Sequence, residues 1–268
     1  MACHEGKAVA MSEFVSITGA RELPGLRIVG IAGVPSPWTE AAKGIFHVKQ
    51  LPFVRARQTR DEPPNALVAW AGDASIPVVA YEKEKLRTGW VEILLLAERL
   101  VPQPALIPDD AAGRALMFGL SHEVCGEMGF GWCVRLLLIR DALRHGGVAA
   151  HGEGLPSGVG AYLAPRYGFS PAALQVAEDR IIAILQMLDA RLARHPYLMG
   201  ETLTALDIYW ATFANLLTPL SEEEMPMSAV MRKAYTATDA RILETLSLRL
   251  RQHQRHVYDQ HLELPVQL

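Results

Sequence analysis

A serine followed by a proline, placed where a strand gives way to a helix, is the most chemically suggestive arrangement in this sequence. Leu26, Ile28, Val29 and Ile31 form a β-branched, apolar run that reads as a buried strand. Gly33, Val34 and Pro35 break it, and Ser36-Pro37-Trp38-Thr39-Glu40 opens a helix. Proline suits the first helical position, and serine suits the cap before it. The same hydroxyl stands beside unpaired backbone N–H groups at the positive end of a helix, where an anion such as a thiolate is stabilised. The competing reading is that Ser36 only caps the helix.

The elements that would position Ser36 follow in order. Pro52-Phe53-Val54-Arg55-Ala56-Arg57 alternates apolar and basic residues and suits a second, half-exposed strand, parallel to the first across the helix. Asn65 to Ala71 forms a short helix or irregular turn ended by Gly72. Ser75-Ile76-Pro77-Val78-Val79-Ala80-Tyr81 has a proline at the start of its β-rich run, which the first residue of a strand tolerates and which can also be cis. Glu82 to Lys85 makes a charged hairpin tip, Leu86-Arg87 starts a return strand, and Thr88 caps a well-buried helix running to Leu100.

Three prolines in Val101 to Pro108 mark a boundary, after which strand signals fade. Domains are accordingly expected at 26–101 and 109–268, with residues 1–25 as an extension and 102–108 as a linker. Asp109 to His145 reads as one long helix, bent near Gly129 because interior glycines cost about 1 kcal/mol each relative to alanine. His151 to Gly160 is glycine-rich but lacks the lysine and hydroxyl spacing of a phosphate loop. Ser170-Pro171 starts a helix with Leu174, Ala177, Ile181, Ile184, Leu185 and Leu188 on one face. Thr204 and Asp207 have capping-box spacing. Helices over about Ser228–Tyr235 and Thr238–Arg255 and a polar tail complete the second half.

Composition narrows the function classes. The 268 residues are half apolar, enough to bury a sizeable core. A net charge of −3 with no basic stripe argues against a nucleic-acid partner. The cysteines Cys3, Cys125 and Cys133 are odd in number and scattered, which suits a reducing cytoplasm better than a disulfide framework. No apolar run approaches the roughly 20 residues of a membrane span, and the first residues lack the apolar core of a signal peptide.

Taken together, Ser36-Pro37, Ile76-Pro77 before a hairpin, and Gly200 followed by Thr204-Ala205-Leu206-Asp207 resemble the glutathione transferase superfamily over roughly Leu26 to Arg255. The resemblance implies an α/β thioredoxin-like N-terminal domain followed by an all-α C-terminal domain. It implies glutathione as cosubstrate, with Ser36 donating to its sulfur and Ile76, before a cis Pro77, pairing its backbone with the cysteinyl part. In the family an acidic residue and a serine or threonine hold the γ-glutamyl end. Here Thr88 keeps the hydroxyl, but Arg87 reverses the sign of its neighbour.

The second substrate of such proteins is an apolar electrophile, and Trp38, Phe118, His122, Cys125 and Trp132 are the candidate wall residues. Phe118, His122 and Cys125 recur at spacings of four and three, which in a helix also describes an ordinary packed stripe. The expected reaction is attack by the glutathione thiolate on an apolar or ether-type substrate. The alternatives are a ligand-binding protein without glutathione chemistry, and a glutathione-dependent isomerase or lyase that uses His122 as acid or base. The resemblance also implies a homodimer. No metal-ligand spacing is present.

Overall fold

Four short strands and twelve α-helices are described in a computed structural model covering residues 14–59, 61–144 and 155–268. Cys3, most of the glycine-rich stretch from His151 to Gly160, and the expected helix end at His145 lie outside those residues. The first half runs β1 (Val15–Ser16), α1 (Ile17–Glu22), β2 (Leu26–Val29), α2 (Pro37–Val48), β3 (Phe53–Arg57), α3 (Ala66–Ala71) and β4 (Val78–Tyr81). Then follow α4 (Trp90–Leu100), α5 (Ala111–Cys125), α6 (Phe130–Arg144), α7 (Ser157–Leu163) and α8 (Pro171–Leu192). The last are α9 (Ala205–Phe213), α10 (Ala229–Tyr235), α11 (Ala240–Thr245) and α12 (Leu248–His261).

By its contacts the chain forms two units. One takes the described part of Met1–Ala32 together with Pro52–Gly89, and the other takes Gly33–Leu51 with Trp90–Leu268. The first unit is built on a sheet of order β1-β3-β2-β4. β2 runs parallel to β3 and antiparallel to β4, and Arg87 bridges back to Val79, the thioredoxin-like pattern the sequence pointed to. Ile17, Ala20, Val29, Ala56, Ala66, Leu67 and Val78 form its core. Gly72 closes α3 with φ of 78°, a left-handed position that glycine takes without penalty.

Residues 15–22, read from sequence as part of an extension, supply an edge strand parallel to β3 and a helix whose Ile17 and Ala20 enter that core. Glu62 ties this segment down. Its carboxylate accepts from the backbone N–H and the hydroxyl of both Thr18 and Thr59, at 2.6 to 3.0 Å. Burial alone would raise its pKa, but these donors outweigh it and hold the group at about 2. Arg27 does similar work on the other side, donating to the carbonyls of Ala20, Gly25 and Glu82.

The second unit is helical. Its central helix, α9, is buried at every residue from Ala205 to Phe213. Asp207 anchors it: Oδ2 accepts from the N–H and the hydroxyl of Thr204, both at 2.8 Å, while Oδ1 accepts from Leu198 N and faces His253 Nε2 at 3.0 Å. α8 runs from its Ser170 cap and buries Ala177, Ile181, Ile184, Leu185 and Leu188.

Three expectations need correction. The stretch expected as one bent helix is two helices, α5 and α6, separated at Gly126 to Gly129. A Cβ on Gly129 would lie 2.7 Å from the carbonyl oxygens of His122 and Glu123, so the chain turns there through a contact only glycine allows. Likewise the expected helix from Thr238 to Arg255 divides into α11 and α12. Ser247 interrupts it by accepting from Leu250 N and donating to Asp189. The C-terminal tail also departs from the polar tail expected: Val266 is buried, its N–H donates to the Glu224 carbonyl, and the Gln267 carbonyl receives Lys43 Nζ.

Candidate functional site

Ser36 is the flanking residue of α2, with φ of −66° and ψ of 118°, and its carbonyl accepts the Glu40 N–H at 2.9 Å. Proline follows at the first helical position, as the sequence implies. The side chain does not do what a capping serine does: its hydroxyl makes no capping hydrogen bond, and the residue is half-buried. The first-turn N–H groups have no side-chain cap from Ser36, and its hydroxyl is not committed to them.

Three side chains seat this helix within the helical unit. Trp38 Nε1 donates to the Cys125 carbonyl at 2.9 Å. Lys43, buried beside Glu40 at 2.7 Å, reaches the tail. Lys49 Nζ donates to the carbonyls of Val101 and Pro104 at 2.8 Å and pairs with Glu98 at 2.7 Å. The segment 102–108, read as a linker, is therefore well held: Leu106 and Ile107 are buried, and the Leu106 carbonyl accepts Ala205 N–H.

The expected wall residues divide. Trp38, Trp132 and Cys125 come together with two aromatic residues that sequence spacing did not single out, Tyr167 and Phe213. Trp38 meets Phe213 edge-on at 4.9 Å between ring centres and Tyr167 at 6.4 Å, while Trp132 lies 4.6 Å from Tyr167 and donates Nε1 to its carbonyl. Gly131 makes this approach possible, since a Cβ there would stand 2.4 Å from the Phe213 ring. Tyr167 follows α7 and Phe213 ends α9, so their proximity to Trp38 is a tertiary fact. Their only mark in the sequence is their being aromatic.

Phe118 belongs to a separate group, 6.3 Å from Trp90, with the Arg114 guanidinium 5.0 Å from its ring centre. His122 is exposed at the end of α5, its ring against Gly126. Cys125, expected on the same stripe, is fully sequestered. Burial pushes its thiol up, and raises that of Cys133 to about 11, so neither is a thiolate at neutral pH. Both cysteines are free.

The other predicted residues lie together in the sheet unit. The Ile76–Pro77 bond is cis and leads into β4, and Arg87 pairs both its backbone groups with Val79. Arg87 is buried, with its guanidinium directed back over the hairpin: Nη2 donates to Glu84 at 2.5 Å and Nη1 to the Lys85 carbonyl at 3.0 Å. Its charge is therefore paired within the hairpin. Thr88 is exposed, and because α4 begins at Trp90, Thr88 lies one position too early to cap it. Among the described residues no group of three or more His, Cys, Asp or Glu is placed to hold a metal ion, and no helix is long and apolar enough to cross a membrane.

Residues 171–244 match the glutathione S-transferase C-terminal domain family. With the thioredoxin-like sheet before it, the chain has the fold that solved glutathione transferases share. A glutathione transferase family member from Pseudomonas fluorescens pf-5, solved with two glutathione bound, superposes with a TM-score of 0.62 at 12% identity, over 91% of this chain and 94% of that one. The β-etherase LigF of Sphingobium sp. strain SYK-6 gives 0.54 at 16% identity, over 86% and 99%. The theta class enzyme of Xanthomonas axonopodis pv. citri, with glutathione bound, gives 0.51 at 18%, over 87% and 97%. No curated protein sequence matches the chain.

Proposed function

We propose that the protein is a glutathione transferase-like enzyme in which Ser36 stabilises the thiolate of glutathione. The observation that carries this reading is the seryl hydroxyl left free of capping duty at the start of a twelve-residue helix. Lowering a thiol by two pH units takes about 2.7 kcal/mol of preference for the anion. A hydrogen bond to a charged group supplies about 1.5–3 kcal/mol and a helix N-terminus about 0.3–1 kcal/mol, so this arrangement is sufficient.

In the reaction the thiol proton leaves to solvent and the sulfur lone pair forms a C–S bond to the electrophilic carbon. The leaving group departs with the bonding pair; for an ether-type substrate it departs as an alkoxide or phenoxide and takes up a proton. Ile76 supplies backbone groups to the cysteinyl part of glutathione and Thr88 a hydroxyl to its γ-glutamyl end, roles assigned by resemblance. The Trp38, Trp132 and Tyr167 rings suit an apolar second substrate. Unpaired, buried Cys125 and Cys133 fit a cytoplasmic setting, and a homodimer is the assembly the family resemblance favours.

Titration calorimetry with glutathione and conjugation of an activated aryl halide by wild type and Ser36→Ala test the reading. The variant should lose most of its turnover and raise the pKa of bound glutathione; an unchanged rate removes Ser36 from the mechanism. The lack of an acidic residue at Arg87 favours a second reading, a glutathione-independent ligand-binding protein. Absence of any calorimetric signal with glutathione selects it.

A further inference from the structure

Arg135, on α6 three residues beyond Trp132, is 7% exposed. Among the described residues it meets no carboxylate. The guanidinium carbon lies 5.9 Å from the ring centre of Tyr235; burial opposes its charge, but the phenols of Tyr235 and Tyr167 are its polar neighbours and hold its pKa up. Two buried atoms here have no hydrogen-bond partner, Arg135 Nε and the Tyr235 hydroxyl. Burying a cation away from any anion is costly, and an unpartnered buried donor adds to that cost. Arg135 Nε is a donor, and the phenol oxygen can accept from the guanidinium while its O–H donates outward, so one oxyanion would take up both free protons.

Tyr167 connects this place to the candidate site. The half-buried ring that faces Arg135 also packs on Trp132 and approaches Trp38, two residues after Ser36. We propose that Arg135 and Tyr235 form an anion subsite that selects, as second substrate, an aromatic electrophile bearing a carboxylate. The aromatic body lies against the tryptophans and the carboxylate on Arg135. The role in catalysis rests on the Ser36 reading; the anion subsite itself does not.

The test compares 3-phenylpropionate with 3-phenylpropanol, which differ only in the charged end. By calorimetry on the full chain the acid should bind wild type at least about tenfold more tightly, the scale of a charge-assisted contact. Arg135→Met and Tyr235→Phe should erode that preference and Arg135→Lys retain part of it. Without ligand, Arg135→Met should melt at the same or a higher temperature, because it removes a buried charge that only neutral phenols face. Equal binding of acid and alcohol to wild type, or a large fall in melting temperature in Arg135→Met with the preference intact, overturns the proposal. Ser36→Ala should keep the acid preference whatever it does to conjugation, so failure of the thiolate reading and failure of the subsite are seen separately.

Discussion

The indole nitrogen of Trp38 donates to the carbonyl oxygen of Cys125 at 2.9 Å, fastening the first turn of α2 to the last residue of α5. Ser36 stands two positions before this bond, so the height and tilt of the seryl hydroxyl are fixed by helices far along the chain. Trp38→Phe keeps most of the ring contact with Phe213 and removes the donor. It should cost about 1 kcal/mol of stability, the net worth of one hydrogen bond, and lower glutathione-dependent kcat/KM more than it lowers the melting temperature would suggest. Paired unfolding and kinetic measurements check it.

Gly131→Ala tests whether the Trp38 cluster is as tight as it looks. The added methyl would sit 2.4 Å from the fully buried Phe213 ring and 3.4 Å from Trp38. Overpacking of this kind costs about 1–3 kcal/mol, to be read as a lower urea midpoint with an unchanged slope.

Arg87→Gln separates charge from structure at the γ-glutamyl position. It removes the guanidinium that Glu84 now neutralises and leaves the carboxylate facing the hairpin with one fewer cation. Glutathione affinity by calorimetry should rise several-fold, because attraction for the ligand's ammonium is restored; at an effective dielectric of 20, unit charges about 4 Å apart interact by about 4 kcal/mol before screening. No change would make Arg87 irrelevant to binding.

Acid should loosen the sheet unit through Glu62. Its pKa is about 2 in the folded chain against 4.5 for an ordinary glutamate, so the unfolded chain binds more protons between those values. The stabilisation is fully present above about pH 4.5 and is lost as pH falls toward 2. Glu62→Gln puts an amide N–H₂ against donors and should cost about 1–3 kcal/mol near neutrality. The variant should also show a flatter loss of stability across that acid window, measured by urea unfolding at a series of pH values.

Ending the chain after Glu263 removes the carbonyl that receives Lys43 and the buried Val266. Burial of a valine is worth about 1.5–3 kcal/mol, and global stability should fall by up to that amount. Amide exchange should quicken in α2 beyond what the global loss explains, with α8 as the internal reference.

Local signals in the sequence located most of the elements. The apolar run at β2, the proline after Ser36, the glycine after α3 and the serine before α8 each act within a few residues, and each element they predict is present, although β2 ends at Val29 and leaves Ile31, read into the buried strand, exposed. Ser36 was legible for the same reason, since a helix start is written in adjacent residues. What only the tertiary structure decided is how distant side chains meet. Trp38 on α2, Phe213 at the end of α9 and Tyr167 in the turn after α7 converge because these segments pack together, with Gly131 leaving room for Phe213 and Trp38. Arg87 is neutralised because the hairpin folds it onto Glu84, and among the described residues Arg135 meets phenols instead of an acid. Helical periodicity grouped Phe118, His122 and Cys125, yet neighbouring helices cover only part of that face and leave His122 in solvent. Spacing along a chain fixes which way a residue points from its own helix, whereas packing between elements fixes what waits there.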